Sequence, residues 1–210
     1  GANQPGEIKI LCDLVQPDLA LITNISNAHI ENFSSLDDIV KTKSAIFTSL
    51  KPSGVAFVNL NDKMVSKIAI TSKKVTFGIN NKHADYNGIL KSNSKIKINN
   101  FILNISEDIL HLSESILAVY AICKTLKISD HNFQKEIDSF TIPNGRGKAQ
   151  TINGLKIIND AYNANPASMK FGIIRLSNTK CENKKILIIG DMLELGDYEI
   201  DEHIEIGKLI

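Results

Sequence analysis

The stretch Asp18-Leu-Ala-Leu-Ile-Thr-Asn24, set directly after Pro17, decides the fold class. Its apolar residues run together without the alternation of a strand wet on one face. A run this short and continuous suits a strand covered on both sides, as in a parallel sheet. Val55-Ala-Phe-Val-Asn59 repeats the pattern, and Lys74-Val-Thr-Phe-Gly78 follows as a third strand. Between the first two, Ser34 or Ser35 offers an N-cap and Asp37 and Asp38 suit the first turn of a helix dipole. That helix is predicted to run to about Leu50, where Pro52 and Gly54 stop it. A second helix is predicted from Asp62 to about Ile70. Strands alternating with helices point to an α/β fold, a mostly parallel sheet flanked by helices.

Outward from this core the texture changes. From Ala84 to Ser106, Lys95-Ile-Lys-Ile and Phe101-Ile-Leu-Asn-Ile are parted by Asn-Asn, which reads as antiparallel hairpins at a sheet edge. Helical spacing returns at Ile116, Val119, Ala121 and Ile122, and another helix is expected over Asn132 to Phe140. Pro143-Asn-Gly-Arg-Gly147 is hinge-like. The pattern then restarts with a strand at Leu155-Lys-Ile-Ile158, a helix from about Pro166, and a buried strand at Lys185-Ile-Leu-Ile-Ile-Gly190. The boundary is placed near residue 148, giving domains 1–148 and 149–210. The second is short for an α/β domain and stops inside a helical pattern at Gly207-Lys-Leu-Ile210, so the chain is expected to be an incomplete piece.

The totals exclude several classes. The 210 residues are 43% hydrophobic and 22% charged with a formal net charge of +1, so no global field favours nucleic acid or an anionic membrane. Arginine occurs only at Arg146 and Arg175. Cys12, Cys123 and Cys181 form neither an even set nor a C-x-x-C pair, which suits a reducing compartment. No run approaches the ~20 apolar residues of a bilayer span. A cytoplasmic protein is expected.

Lys43 is the sharpest chemical clue. Leu36, Val40, Phe47 and Leu50 line one helical face, and Lys43 interrupts it. A lysine there either snorkels to water or is an amine held neutral by desolvation, able to act as a base or to take up carbon dioxide as a carbamate. His29 follows the carboxyl end of a parallel strand, where open α/β sheets place ligands. It is either a solvated loop residue or a ligand for a divalent metal. Asn24 ends that strand and could fix the loop or a ligand. Asp160 and Asp191 each follow an apolar run, as helix caps or as site residues. Arg146, between two glycines, is a plain turn or a guanidinium brought close to phosphate. No G-x-x-x-x-G-K-[ST] or G-x-G-x-x-G loop is present.

Taken together, the motifs resemble the Mur ligase family. Gly1-Ala-Asn-Gln-Pro-Gly-Glu-Ile8 is similar to a family Gly-Ala-Asn-His-x-Gly-Glu-Ile signature, with Gln4 in place of the histidine. Asn24-Ile-Ser-Asn-Ala-His-Ile-Glu31 resembles its Asn-x-x-x-Ala-His-Leu-Glu loop. Val40-Lys-Thr-Lys-Ser-Ala-Ile-Phe47 resembles its Ala-Lys-x-Glu-Ile-Phe helix, with Ala45 where glutamate is usual. Asn144-Gly-Arg-Gly147, Asp160-Ala-Tyr-Asn-Ala-Asn-Pro-Ala-Ser-Met169 and Gly190-Asp-Met-Leu-Glu-Leu-Gly196 follow in the family's order, and His203 sits near its Leu-His-x-x-x-Gly.

This resemblance implies a middle, ATP-binding domain followed by the start of a Rossmann-like C-terminal domain, with the P-loop upstream of Gly1. It implies a peptidoglycan-precursor ligase that joins D-alanyl-D-alanine to UDP-N-acetylmuramoyl-tripeptide through an acyl phosphate, using ATP and Mg2+. By the same likeness, His29 is a magnesium ligand and Lys43 a carbamylated lysine holding a second magnesium. Both then count as catalytic. Asn24, His111, Ser115, Arg146 and Asp160 become nucleotide contacts, although His111-Leu-Ser-Glu-Ser115 has serine where the family's asparagine stands. Tyr162, Asn163 and Asn165 become substrate contacts. A monomer is expected, inactive as this piece alone. The alternatives are another ligase of the superfamily, such as a folylpolyglutamate synthetase, and a non-catalytic scaffold that keeps the fold.

Overall fold

In the computed structural model, which describes residues 2–26, 30–92, 94–182 and 184–210, the chain enters through helix α1 (Glu7–Val15). The Glu7 carboxylate folds back to accept the Asn3 and Gln4 amides at 2.7 and 3.0 Å, which holds its pKa below the usual range. The run after Pro17 then forms β1 (Leu19–Ile22), and α2 (Leu36–Thr48) leads to β2 (Val55–Asn59). Every residue of β2 is buried, as a strand covered on both faces requires. β3 (Lys73–Ile79), β4 (Tyr86–Lys91), β5 (Lys95–Ile98) and β6 (Phe101–Asn104) complete a sheet in the order β1-β2-β3-β4-β5-β6. Pairing is parallel from β1 to β4 and antiparallel from β4 to β6, so the expected hairpin edge is present.

Helix α3 (Ser113–Thr125) packs on β2, β3 and β4, and α4 (Asp130–Ser139) on β6. Phe57, Phe77, Ile96, Ile98, Leu103 and Leu117 lie fully inside. Each buried side chain of this size contributes about 1.5–3 kcal/mol before entropy is counted. The predicted helix from Asp62 to Ile70 is corrected: only a 3-10 turn, Val65–Lys67, forms. Ile68 turns extended, and β3 begins too soon after it for a second turn.

By contacts the chain divides into two units, Gly1–Ile25 with Val40–Thr141, and Ser26–Ile39 with Ile142–Ile210. The second unit holds an antiparallel hairpin of β7 (Lys148–Ile152) and β8 (Leu155–Asn159), then α5 (Pro166–Asn178) and α6 (Glu199–Gly207). Asn153 and Gly154, at φ 50° and 81°, make the tight turn that joins the two strands. Ile173, Met192, Leu195 and Ile206 form its core, with Leu187 packed partly against them. The buried strand predicted at Lys185–Gly190 is a second correction. It has no strand hydrogen bonds, and Ile188 is 92% exposed, because no described neighbour pairs with it.

Candidate active site

The ladder between β1 and β2 ends at the pair Ile22 and Val58. Just beyond it, side chains take over. Asn59, 1% exposed, donates its amide to the Thr23 carbonyl at 2.8 Å and accepts the Asn61 N–H at 2.9 Å. Asp62 accepts the Ile25 N–H through Oδ2 at 3.0 Å, and those of Met64 and Val65 through Oδ1 at 2.9 and 2.8 Å. Asn24 lies between the two gripped residues with its side chain exposed, its amide 3.5 Å from Thr23 Oγ1. His29, the expected metal ligand, lies outside the described residues.

Lys43 sits one turn from Ile39 and one turn from Phe47 on α2; both neighbours are buried and Lys43 itself is half-buried. Ile39, Thr42 and Phe47 are the buried residues of the helix, whereas Leu36, Val40 and Lys43 are half-buried. Burial pushes the Lys43 amine below its ordinary pKa, while the Asp62 carboxylate pulls the other way. Among the described residues, no group of three or more His, Cys, Asp and Glu side chains is gathered for a metal.

Elsewhere in the first unit, His111 lies in the 3-10 turn Glu107–Leu112, and Ser115 is exposed in the first turn of α3. In the second unit, Gly145 and Gly147 have φ of 76° and 82°, so the chain curls tightly around Arg146. The Tyr162 N–H donates to the Gly145 carbonyl at 3.0 Å, and the Gly147 N–H to that of Asn159 at 2.8 Å. This pairing lays the exposed Arg146 guanidinium over the Tyr162 ring, 3.5 Å from its centroid. Asp160 and Asn163 are exposed alongside. Asn165 is committed to a capping box on α5: its Oδ1 accepts the Ser168 N–H at 2.9 Å, and Ser168 Oγ accepts the Asn165 N–H at 3.0 Å. Asp191 pairs with His203 Nε2 at 2.6 Å. The sequence reading placed no site role on Asn59 or Asp62. Their signal was a polar Asn-Leu-Asn-Asp turn closing a fully apolar strand.

The architecture defines an α/β chain with a mostly parallel sheet and a second, smaller α/β unit. Residues 1–151 match the model of the Mur ligase middle domain, and residues 145–210 that of the Mur ligase glutamate ligase domain. The chain belongs to the Mur ligase family. It is 33% identical over 217 residues to the UDP-N-acetylmuramoyl-tripeptide–D-alanyl-D-alanine ligase of Bacillus subtilis, covering 100% of this chain and 47% of that protein. Among solved structures it resembles MurF from Acinetobacter baumannii (TM-score 0.87, 27% identity, 100% of this chain and 48% of that one). It also resembles the MurF ligase of Thermotoga maritima in complex with ADP (TM-score 0.84, 25% identity, 99% of this chain and 50% of that one). The chain thus spans about half the length of the relatives it matches.

Proposed function

We propose that the complete protein is an ATP-dependent amide-bond ligase that joins D-alanyl-D-alanine to UDP-N-acetylmuramoyl-tripeptide in the cytoplasm, and that this chain supplies its middle and C-terminal parts, divided near residue 148. The observation that carries this reading is likeness along the whole chain to ligases of that one name. No helix among the described residues is long and apolar enough to cross a membrane, which is compatible with a reaction on nucleotide-linked substrates.

In this reading the peptide carboxylate attacks the terminal phosphorus of ATP and ADP leaves. The dipeptide amine then attacks the resulting acyl phosphate, loses a proton, and phosphate departs. Arg146 and Asp160 serve the nucleotide's phosphates and ribose, with Asn24, His111 and Ser115 as further nucleotide contacts. The Tyr162 ring beneath the guanidinium limits where Arg146 can point, which lowers the entropy cost of holding an anion. Tyr162, Asn163 and Asn165 meet substrate. Magnesium, when bound, would neutralise charge on the phosphates. His29 and a carbamylated Lys43 would hold it, and burial of the Lys43 amine supports the uncharged form that carbon dioxide requires.

The test is phosphate release by the protein expressed from its complete reading frame. Release is expected only when ATP, magnesium, the UDP-linked tripeptide and D-alanyl-D-alanine are all present. Turnover that ignores the dipeptide but responds to a folate and glutamate would overturn the assignment in favour of the folylpolyglutamate reading, and no turnover with any acceptor would favour a scaffold.

A further inference from the structure

We propose that Asp62, together with Asn59, is a positioning residue for the nucleotide and metal end of the site, holding the segment that leaves β1 in place. The inference rests on the ligase reading above for what that segment does. The grip itself stands on geometry.

The backbone ladder stops at Ile22 and Val58, yet two of the next three residues of the β1 side are still held. The Thr23 carbonyl is held by Asn59 and the Ile25 N–H by Asp62, across 36 and 37 residues of sequence. Both grips come from one turn at the carboxyl end of β2. Between them stands Asn24, exposed, its amide 3.5 Å from Thr23 Oγ1, and His29 follows four residues after Ile25 in the sequence. A carboxylate that only capped the turn after β2 would need its bonds to Met64 and Val65, both made by Oδ1. The bond from Oδ2 to Ile25 adds nothing to that cap. It crosses to the other strand, and Ile25 is itself buried, so no water replaces it readily. Asn59 is likewise used at both ends of its amide inside the protein, which fixes its orientation.

The distinction between cap and grip can be made by substitution. Asp62→Asn keeps one oxygen for the Met64 and Val65 amides but presents an NH2 group to Ile25, where no bond can be accepted. Asp62→Ser keeps a capping hydroxyl and is too short to reach Ile25; it serves if the asparagine variant does not fold. In the complete protein we expect either variant to speed hydrogen exchange at the Ile25 amide while Met64 and Val65 stay protected. The magnesium concentration for half-maximal ligation should rise on the order of 10-fold, as for residues that orient metal ligands, with the melting temperature little changed. An unchanged Ile25 exchange rate, or a wild-type magnesium titration in a variant that ligates normally, would overturn the proposal. Failure of the ligase reading looks different: wild-type protein would not turn over with D-alanyl-D-alanine at all, whatever happens at Ile25.

Discussion

At the scale of single residues, Lys43 was legible because a charged side chain on an apolar stripe needs a reason. The stripe itself was misplaced, since Ile39, adjacent to Val40 in sequence, is the residue that goes deepest. Asp62 was illegible for a physical reason. Read alone, an aspartate after a strand is a helix start, and only the fold shows that its second oxygen serves another strand. His203 was seen as a motif residue without a task. Its Nδ1 lies 2.7 Å from the Glu199 carbonyl and its Nε2 2.6 Å from Asp191, so two acceptors face the ring, with the Met192 N–H as a longer, opposing donor at 3.3 Å from Nε2. Its pKa is raised first by the Glu199 carbonyl, with partial burial opposing and Asp191 adding to the rise. A raised folded-state pKa makes this stabilisation complete below the unfolded value of about 6.5 and removes it as pH climbs through the folded value. Urea denaturation of the wild type should therefore show stability lost over the interval just above about pH 6.5, a loss that His203→Gln lacks. Identical pH slopes in the two proteins would remove the pair from the account.

Elements were readable where one residue pattern sufficed. β2 falls on Val55–Asn59 as expected, and α5 starts at Pro166, because a buried run or a proline at the first helical position carries its own signal. β7 went unpredicted although Asn153-Gly154, the dipeptide favoured in two-residue hairpin turns, announces it. At α5, the capping role of Asn165 can be separated from the substrate contact proposed for it. Asn165→Ala should cost about 1 kcal/mol in denaturant unfolding through loss of the cap, whereas Asn165→Ser should retain most of that stability. If the side chain also meets substrate, the serine variant will still show a raised KM for the tripeptide or dipeptide. A fully stable alanine variant would mean that the capping box contributes nothing.

Over the whole molecule, the alternation that implied a parallel sheet was sufficient for the fold class, since β1 to β4 pair in parallel and the antiparallel edge follows. What the alternation could not supply was pairing in the second unit. Lys185–Gly190 has the composition of a central strand, but a strand exists through its neighbours, and among the described residues none lies beside it. The same dependence on distant partners hid the Asn59 and Asp62 grip and the stacking of Arg146 on Tyr162. All three bring together residues far apart in sequence, whereas the Lys43 stripe is written within one helix. The account of the molecule as a ligase accordingly turns on that amine, and ligation by the complete protein carrying Lys43→Ala tests it most directly. We expect turnover to fall on the order of 100-fold or more with the melting transition intact, and added acetate to restore part of it by replacing the lost carboxylate. Turnover close to that of the wild type would contradict the account.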